Sequence, residues 1–174
     1  MKRILLIPGS LRAASASRAT AKAIRERMQD EALFEFADIG TLPLYNADLT
    51  EDPNVAAFQK AVSDADGVIF VTPEYNYSIP GVLKNAIDWG SRPAFDAPFT
   101  GKNCFVISIS GGALGGVRAQ AHLKYILSGM LSKVYPVKEV VVTSARKKVE
   151  DGLLRDDAIL DFACDAIRGF LDTL

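Results

Sequence analysis

Short, nearly continuous apolar runs alternate with helix-period segments from one end of the chain to the other. Residues 2–7, 34–39, 67–72, 103–108 and 137–143 are dense in Val, Ile, Leu and Phe, the composition of strands buried on both faces. Between them, residues 18–31, 55–64, 82–89 and 117–131 carry helical periodicity, and 156–171 closes the series. In that last segment Ile159, Ala163, Ala166, Ile167 and Phe170 fall on one stripe at spacings of three and four. Short helices between buried strands predict right-handed crossovers and a parallel sheet covered on both sides. No repeat, low-complexity tract or linker interrupts the pattern, so residues 1–174 are expected to form one domain, a length that can bury a core without disulfides or metal.

In such a sheet, ligands bind outside the carboxyl ends of the strands, at the switch point in strand order. The loops after the first, third and fourth strands are accordingly the unusual ones. After the first comes GSLRAASASR, residues 9–18. Gly9 lets the chain turn sharply, Ser10, Ser15 and Ser17 offer hydroxyls, and Arg12 a guanidinium, just before a helix N-terminus. Free N–H groups and the helix dipole make that end an anion site, and this donor set suits a phosphate monoester. A plain solvated loop with Ser17 as helix cap is the other reading.

After the third strand stand Pro73, Glu74, Tyr75, Asn76, Tyr77 and Ser78, followed by Ile79-Pro80-Gly81. Aromatic rings, an amide and a carboxylate on a rim loop suit a flat heteroaromatic ligand; a turn whose tyrosines cover the sheet edge would look the same. After the fourth, Ser110, Gly111 and Gly112 open a glycine-rich stretch that leaves backbone N–H groups bare.

Other chemistries fail on inspection. The dinucleotide fingerprint G-x-G-x-x-G has only Gly9 here, which leaves Asp38 as a strand-end turn residue, and Gly101-Lys102-Asn103 lacks the P-loop hydroxyl. No G-x-S-x-G occurs, and the one histidine, His122, lies within a helical segment without a cysteine partner. No metal site and no side-chain nucleophile are expected. Cys104 and Cys164 have no C-x-x-C spacing and fit the core. The formal net charge of −1 supplies no basic field for nucleic acid. The apolar run 4–7 ends at Pro8-Gly9-Ser10, too short for a signal peptide, and no stretch approaches a membrane span. The expected location is cytoplasmic.

The three segments GSLRAAS, PEYNYSIPGVLKNAIDWGSRP and the Gly115–Leu123 run together resemble the NADPH-dependent FMN reductase family, from residue 2 to about 143. The resemblance implies a flavodoxin-like α/β three-layer sandwich with a five-stranded parallel sheet of order 2-1-3-4-5. It implies FMN as cofactor and NADPH or NADH as electron donor, with quinones or similar small molecules (flavin, chromate, azo compounds) as acceptors. By the same carry-over Ser10, Arg12 and Ser15 meet the FMN phosphate, Ser17 stands where an asparagine is usual, Pro73–Ser78 lie beside the ring and ribityl chain, and Ser110, Gly111 and Gly112 lie near the pyrimidine end. The chemistry would belong to the cofactor, with donor and acceptor using one ring face in turn, a ping-pong scheme. Glu74 is in principle available as an acid. Family members are commonly dimers or tetramers, so a homo-oligomer is expected, with residues 80–93 (Ile87, Trp89, Arg92) near the contact unless Trp89 packs within its own subunit. The LPLYNADL run, residues 42–49, also recurs in the family, with no role evident. A flavodoxin-like electron carrier or flavin-binding regulator that never reacts with nicotinamide is the rival.

Overall fold

The computed structural model describes residues 1–94 and 96–174. Parallel strands β1 (Lys2–Pro8), β2 (Ala32–Phe36), β3 (Gly67–Pro73) and β4 (Asn103–Ile109) form the body of the sheet. Its order is β2-β1-β3-β4, with β5 (Lys133–Val134) beside β4, as the resemblance implied. Alternate residues of each inner strand enter opposite layers. Ile4 and Leu6, Ile69 and Val71, and Phe105 and Ile107 meet helices α1 (Ala16–Arg27) and α5 (Asp157–Leu171). Leu5 and Ile7, Val68 and Phe70, and Cys104 and Val106 meet α2 (Pro53–Asp64), α3 (Gly81–Gly90) and α4 (Val117–Gly129). This double burial is why the strands carry no polar alternation.

The fifth strand departs from expectation. It comes as two pieces along β4: β5 at one end and β6 (Val140–Val142) at the other. Pro136, lying between them, has no N–H to give a ladder. The buried Gln120 of α4 secures the start of β6 instead, its amide donating to Ser108 Oγ at 2.9 Å and to the Val140 carbonyl at 3.1 Å. Residues 137–139 are therefore not strand. β2 is also displaced from the predicted 34–39, because Ile39 is buried in the core without joining the ladder. A two-stranded antiparallel hairpin, β7 (Val149–Glu150) with β8 (Leu153–Leu154), stands outside the predicted elements.

The helices hold their predicted places with shifted ends. α1 begins at Ala16 because Ser15, not Ser17, is its cap, the Oγ accepting from Arg18 N–H at 3.3 Å. On α5 the fully buried stripe is Leu160, Ala163, Cys164, Ile167 and Phe170, while Ile159 and Ala166 sit at its flanks. Both cysteines are buried, and burial pushes the Cys104 thiol up to about 12, so it stays protonated. Asp38 does serve as a turn residue, accepting from Gly40 N–H. No described helix is long and apolar enough to cross a membrane.

Trp89 belongs to its own subunit. It is buried, and its indole donates to the Pro43 carbonyl at 2.8 Å. Asn85 bonds the same carbonyl and accepts from Tyr45 N–H, and the Tyr45 ring meets Trp89 edge-on at 4.8 Å. This gives the 42–49 loop a role: it is strapped to α3. Ile87 is also internal, which leaves Arg92, over the Tyr45 ring, as the exposed member of that trio.

At Gly90 the end of α3 touches the core. A Cβ there would stand 2.3 and 2.6 Å from ring atoms of Phe99, a fully buried side chain packed against Phe58 and Phe70. Gly90→Ala would gain about 0.5–1 kcal/mol from helix propensity, but overpacking costs about 1–3 kcal/mol. A net loss of stability follows, measurable as a lower urea midpoint.

Candidate functional site

The carboxyl ends of β1, β3 and β4 open onto one cavity of about 370 Å³. It is lined by Ser10, Arg12, Ser15 and Ser17 from the first loop, Pro73, Glu74 and Tyr75 from the second, and Ser110 and Gly111 from the third. The cavity thus gathers nine of the thirteen predicted site residues, drawn from all three loops. Asn76, Tyr77 and Ser78 lie beyond its lining, in the rim hairpin, and Gly112 follows Gly111 outside it. A larger cavity of about 870 Å³, between residues 45–56 and the end of α3, holds none of them.

The first wall is set by close approach. Gly9 donates its N–H to the Val71 carbonyl at 2.9 Å, and a Cβ on it would press on Leu83 and Thr72 at 3.1 Å. The chain then lays Ser10, Ser15 and Ser17, all buried, at the start of α1. Ser15 and Ser17 hydroxyls bond each other at 2.7 Å, and Ser10 Oγ lies 3.3 Å from Tyr75 Oη, tying the first loop to the second. The Arg12 side chain is exposed and pairs with no carboxylate among the described residues.

The second wall is a strained hairpin. Tyr75 and Ser78 exchange backbone bonds of 2.9 and 3.1 Å across Asn76 (φ 50) and Tyr77 (φ 68), so both central residues occupy the left-handed region of a two-residue turn. Asn tolerates that region and Tyr does not, at a cost on the order of 1–3 kcal/mol. Helix α4 offsets it. The Arg118 guanidinium lies over the Tyr77 ring, 4.2 Å from its centroid, and His122, one turn on, bonds Ser78 Oγ at 3.0 Å. His122 is exposed, and among the described residues its side chain is hydrogen-bonded to this turn.

Glu74 is bonded to helix α4. Its carboxylate accepts from the N–H groups of Arg118 and Ala119 at 3.0 and 3.2 Å and from the Arg118 guanidinium at 3.3 Å. The N-cap of α4 is Gly116 (φ 83), which has no side chain to cap with, so Glu74 caps the helix from another loop. Both lobes of the carboxylate are occupied.

Six lining residues lie outside the predicted set: Ala14, Ala16 and Ile109 adjoin the predicted loops, whereas Ala145, Arg146 and Val149 come from a segment not singled out, a 3-10 turn (Ala145–Lys148) and the start of β7. The strand-end rule that found the other loops applies equally to the loop after the fifth strand, Thr143-Ser144-Ala145-Arg146. The R-A-Q-x-H run likewise places Arg118 and His122 four apart, on one face of α4.

The chain is similar to several known proteins. The family described as NADPH-dependent FMN reductase matches residues 2–147. A 2-hydroxy-1,4-benzoquinone reductase of Burkholderia sp. is 47% identical over 124 residues, covering 70% of this chain and 68% of that protein. An NAD(P)H-dependent FMN reductase of Pseudomonas aeruginosa is 41% identical, covering 89% and 85%. The solved structure of FerB, a flavoenzyme NAD(P)H:(acceptor) oxidoreductase from Paracoccus denitrificans, matches with a TM-score of 0.89 at 31% identity, covering 99% and 96%.

The capping role of Glu74 is open to test by two substitutions. Glu74→Ala leaves two helix N–H groups and a guanidinium without their acceptor and should cost about 1–3 kcal/mol in denaturation of the apoprotein. Glu74→Gln, which keeps an acceptor oxygen but cannot act as an acid, should recover part of that stability and most of the turnover. A hundredfold fall in turnover at unchanged stability would return Glu74 to the reaction itself.

Proposed function

We infer that this chain, which belongs to the NADPH-dependent FMN reductase family, is an NAD(P)H-dependent reductase of quinones or similar small acceptors, with FMN held in the strand-end cavity. The observation that carries the reading is that one cavity joins a hydroxyl-and-guanidinium anion site to the base of an aromatic hairpin. The fit to FMN is direct in kind. Ser10, Ser15, Ser17 and Arg12, at the N-terminus of α1, are the donors a phosphate monoester takes. Tyr75 and Tyr77, both exposed, give the rim apolar ring surface, and Gly111 and Gly112 leave backbone open on the third loop. The relatives named as benzoquinone and FMN reductases support the acceptor class and the donor.

When bound, FMN supplies the redox chemistry, taking a hydride from the nicotinamide and giving two electrons to the acceptor. The residues of this chain bind and orient. The first loop holds the phosphate end, and the hairpin, fixed by Glu74, Arg118 and His122 acting through α4, presents a preorganised rim on which a flat molecule can stack. No side chain at the rim needs to exchange a proton. Arg12 at the phosphate and a net charge of −1 both speak against an acidic electron carrier.

Two measurements test this. Anaerobic NADPH added to the purified protein should bleach its yellow colour; an electron carrier without nicotinamide reactivity would stay yellow. With a quinone as acceptor, donor and acceptor sharing one rim should give parallel double-reciprocal lines, and His122→Gln should keep most activity, whereas intersecting lines would mean separate binding pockets.

The family habit of assembly also extends to this chain as a proposal: a homodimer or homotetramer. Light scattering at micromolar concentration should return a multiple of 18.8 kDa. A monomeric mass would refute it.

A further inference from the structure

We propose that Arg146 is a second cationic ligand of the FMN phosphate, closing on it from the loop after β6 while Arg12 approaches from the loop after β1. This rests on the placing of FMN in the strand-end cavity. Both arginines line the same 370 Å³ space as Ser10, Ser15 and Ser17. The cavity also takes in Ser110 and Gly111, which the family resemblance sets near the ring, so a phosphate contact and a ring contact of Arg146 are the two outcomes the test must separate.

The charge count favours two cations. A phosphate monoester carries about −1.5 to −2 near pH 7, and Arg12 with the roughly +0.5 of the α1 N-terminus leaves up to about half a charge unmatched. The one acid in the lining is Glu74, whose carboxylate is already taken by α4 and Arg118. Among the described residues no carboxylate pairs with Arg146, although Lys148, two positions on, pairs with Asp156 at 2.7 Å. The Arg146 guanidinium is therefore exposed beside the anion site and not neutralised by a described carboxylate.

Its position is built. Ser144 is held at φ 51, a strained setting for a residue with a Cβ, by bonds of 3.0 Å from its N–H to the Gly112 carbonyl and from Ala145 N–H to the Ser110 carbonyl. Ala145 is buried and anchors the turn. The Arg146 stem then runs along Gly111, where a Cβ would stand 3.5 Å from its Cδ and Nε. The third loop and the Arg146 turn are thus fastened to each other, and the guanidinium is carried to the cavity on a fixed base.

Titration of apoprotein with FMN and with riboflavin, followed by flavin fluorescence, tests the assignment. Wild type should bind FMN more tightly than riboflavin. Arg146→Ala should weaken FMN binding about tenfold to a hundredfold, the cost of one charge-assisted contact, and leave riboflavin binding unchanged. Arg146→Lys should recover part of the loss, and Arg12→Ala should show the same selectivity for FMN. An equal loss for both flavins would mean that Arg146 meets the ring or merely supports the fold. Unchanged FMN affinity with a raised KM for NADPH would assign it to the donor's phosphates. Either result overturns the proposal. If wild type itself binds the two flavins equally, it is the placing of the phosphate in this cavity that fails, and the Arg146 assignment falls with it.

Discussion

A strand that buries both of its faces has no side chain free for chemistry along its length. That constraint organises this molecule. Ile4 to Ile7, Val68 to Val71 and Cys104 to Ile107 are committed to one core layer or the other, so every group able to meet a ligand is displaced to the loops at the strand ends. Parallel pairing then brings the carboxyl ends of β1, β3 and β4 side by side, and three loops distant in sequence converge because their strands are neighbours. The site is a product of how the sheet is covered.

Convergence alone would leave three independent, mobile loops. What fixes them is a set of polar contacts that cross from loop to loop or from loop to helix. Tyr75 reaches Ser10, Glu74 caps α4, Arg118 returns to the Tyr77 ring, and Ala145 and Ser144 bond the third loop. Bonds to a charged acceptor contribute about 1.5–3 kcal/mol each, comparable with the cost of holding Tyr77 at positive φ. The strained hairpin can persist because the balance is close and several such contacts act together.

The strands and the three loops were legible in the sequence because their signals are local: dense apolar runs, and serines, arginine or glycines directly after them. What failed to show was non-local. Glu74 looks like a free carboxylate in PEYNYS, and its partners lie 44 and 45 residues away on α4. Arg146 does not stand out because Ala145-Arg146-Lys147-Lys148 reads as an ordinary basic surface stretch, without the serines, glycines or aromatic residues that mark the other loops. Trp89 could be placed at a subunit contact or inside on composition alone; only the carbonyl of Pro43 decides between them. The phase of α5 shifted for a related reason: Leu160 and Cys164 extend the buried ladder, and a stripe drawn through Ile159 and Ala166 is one position off its axis.

The interruption between β5 and β6 has a consequence beyond the fold. An open sheet exposes an unpaired row of N–H and C=O groups along its outermost strand, and a long, flat edge of that kind recruits other chains into aggregates. Here that edge comes as two pieces of two and three residues. The stretch between them contains a proline and two charged residues, Pro136, Lys138 and Glu139. At the opposite edge β2 is five residues long, carries Glu35 and alternates buried with exposed positions. Neither margin offers the uninterrupted template that edge-to-edge polymerisation needs, so the proline that divides the fifth strand also guards the sheet against self-association.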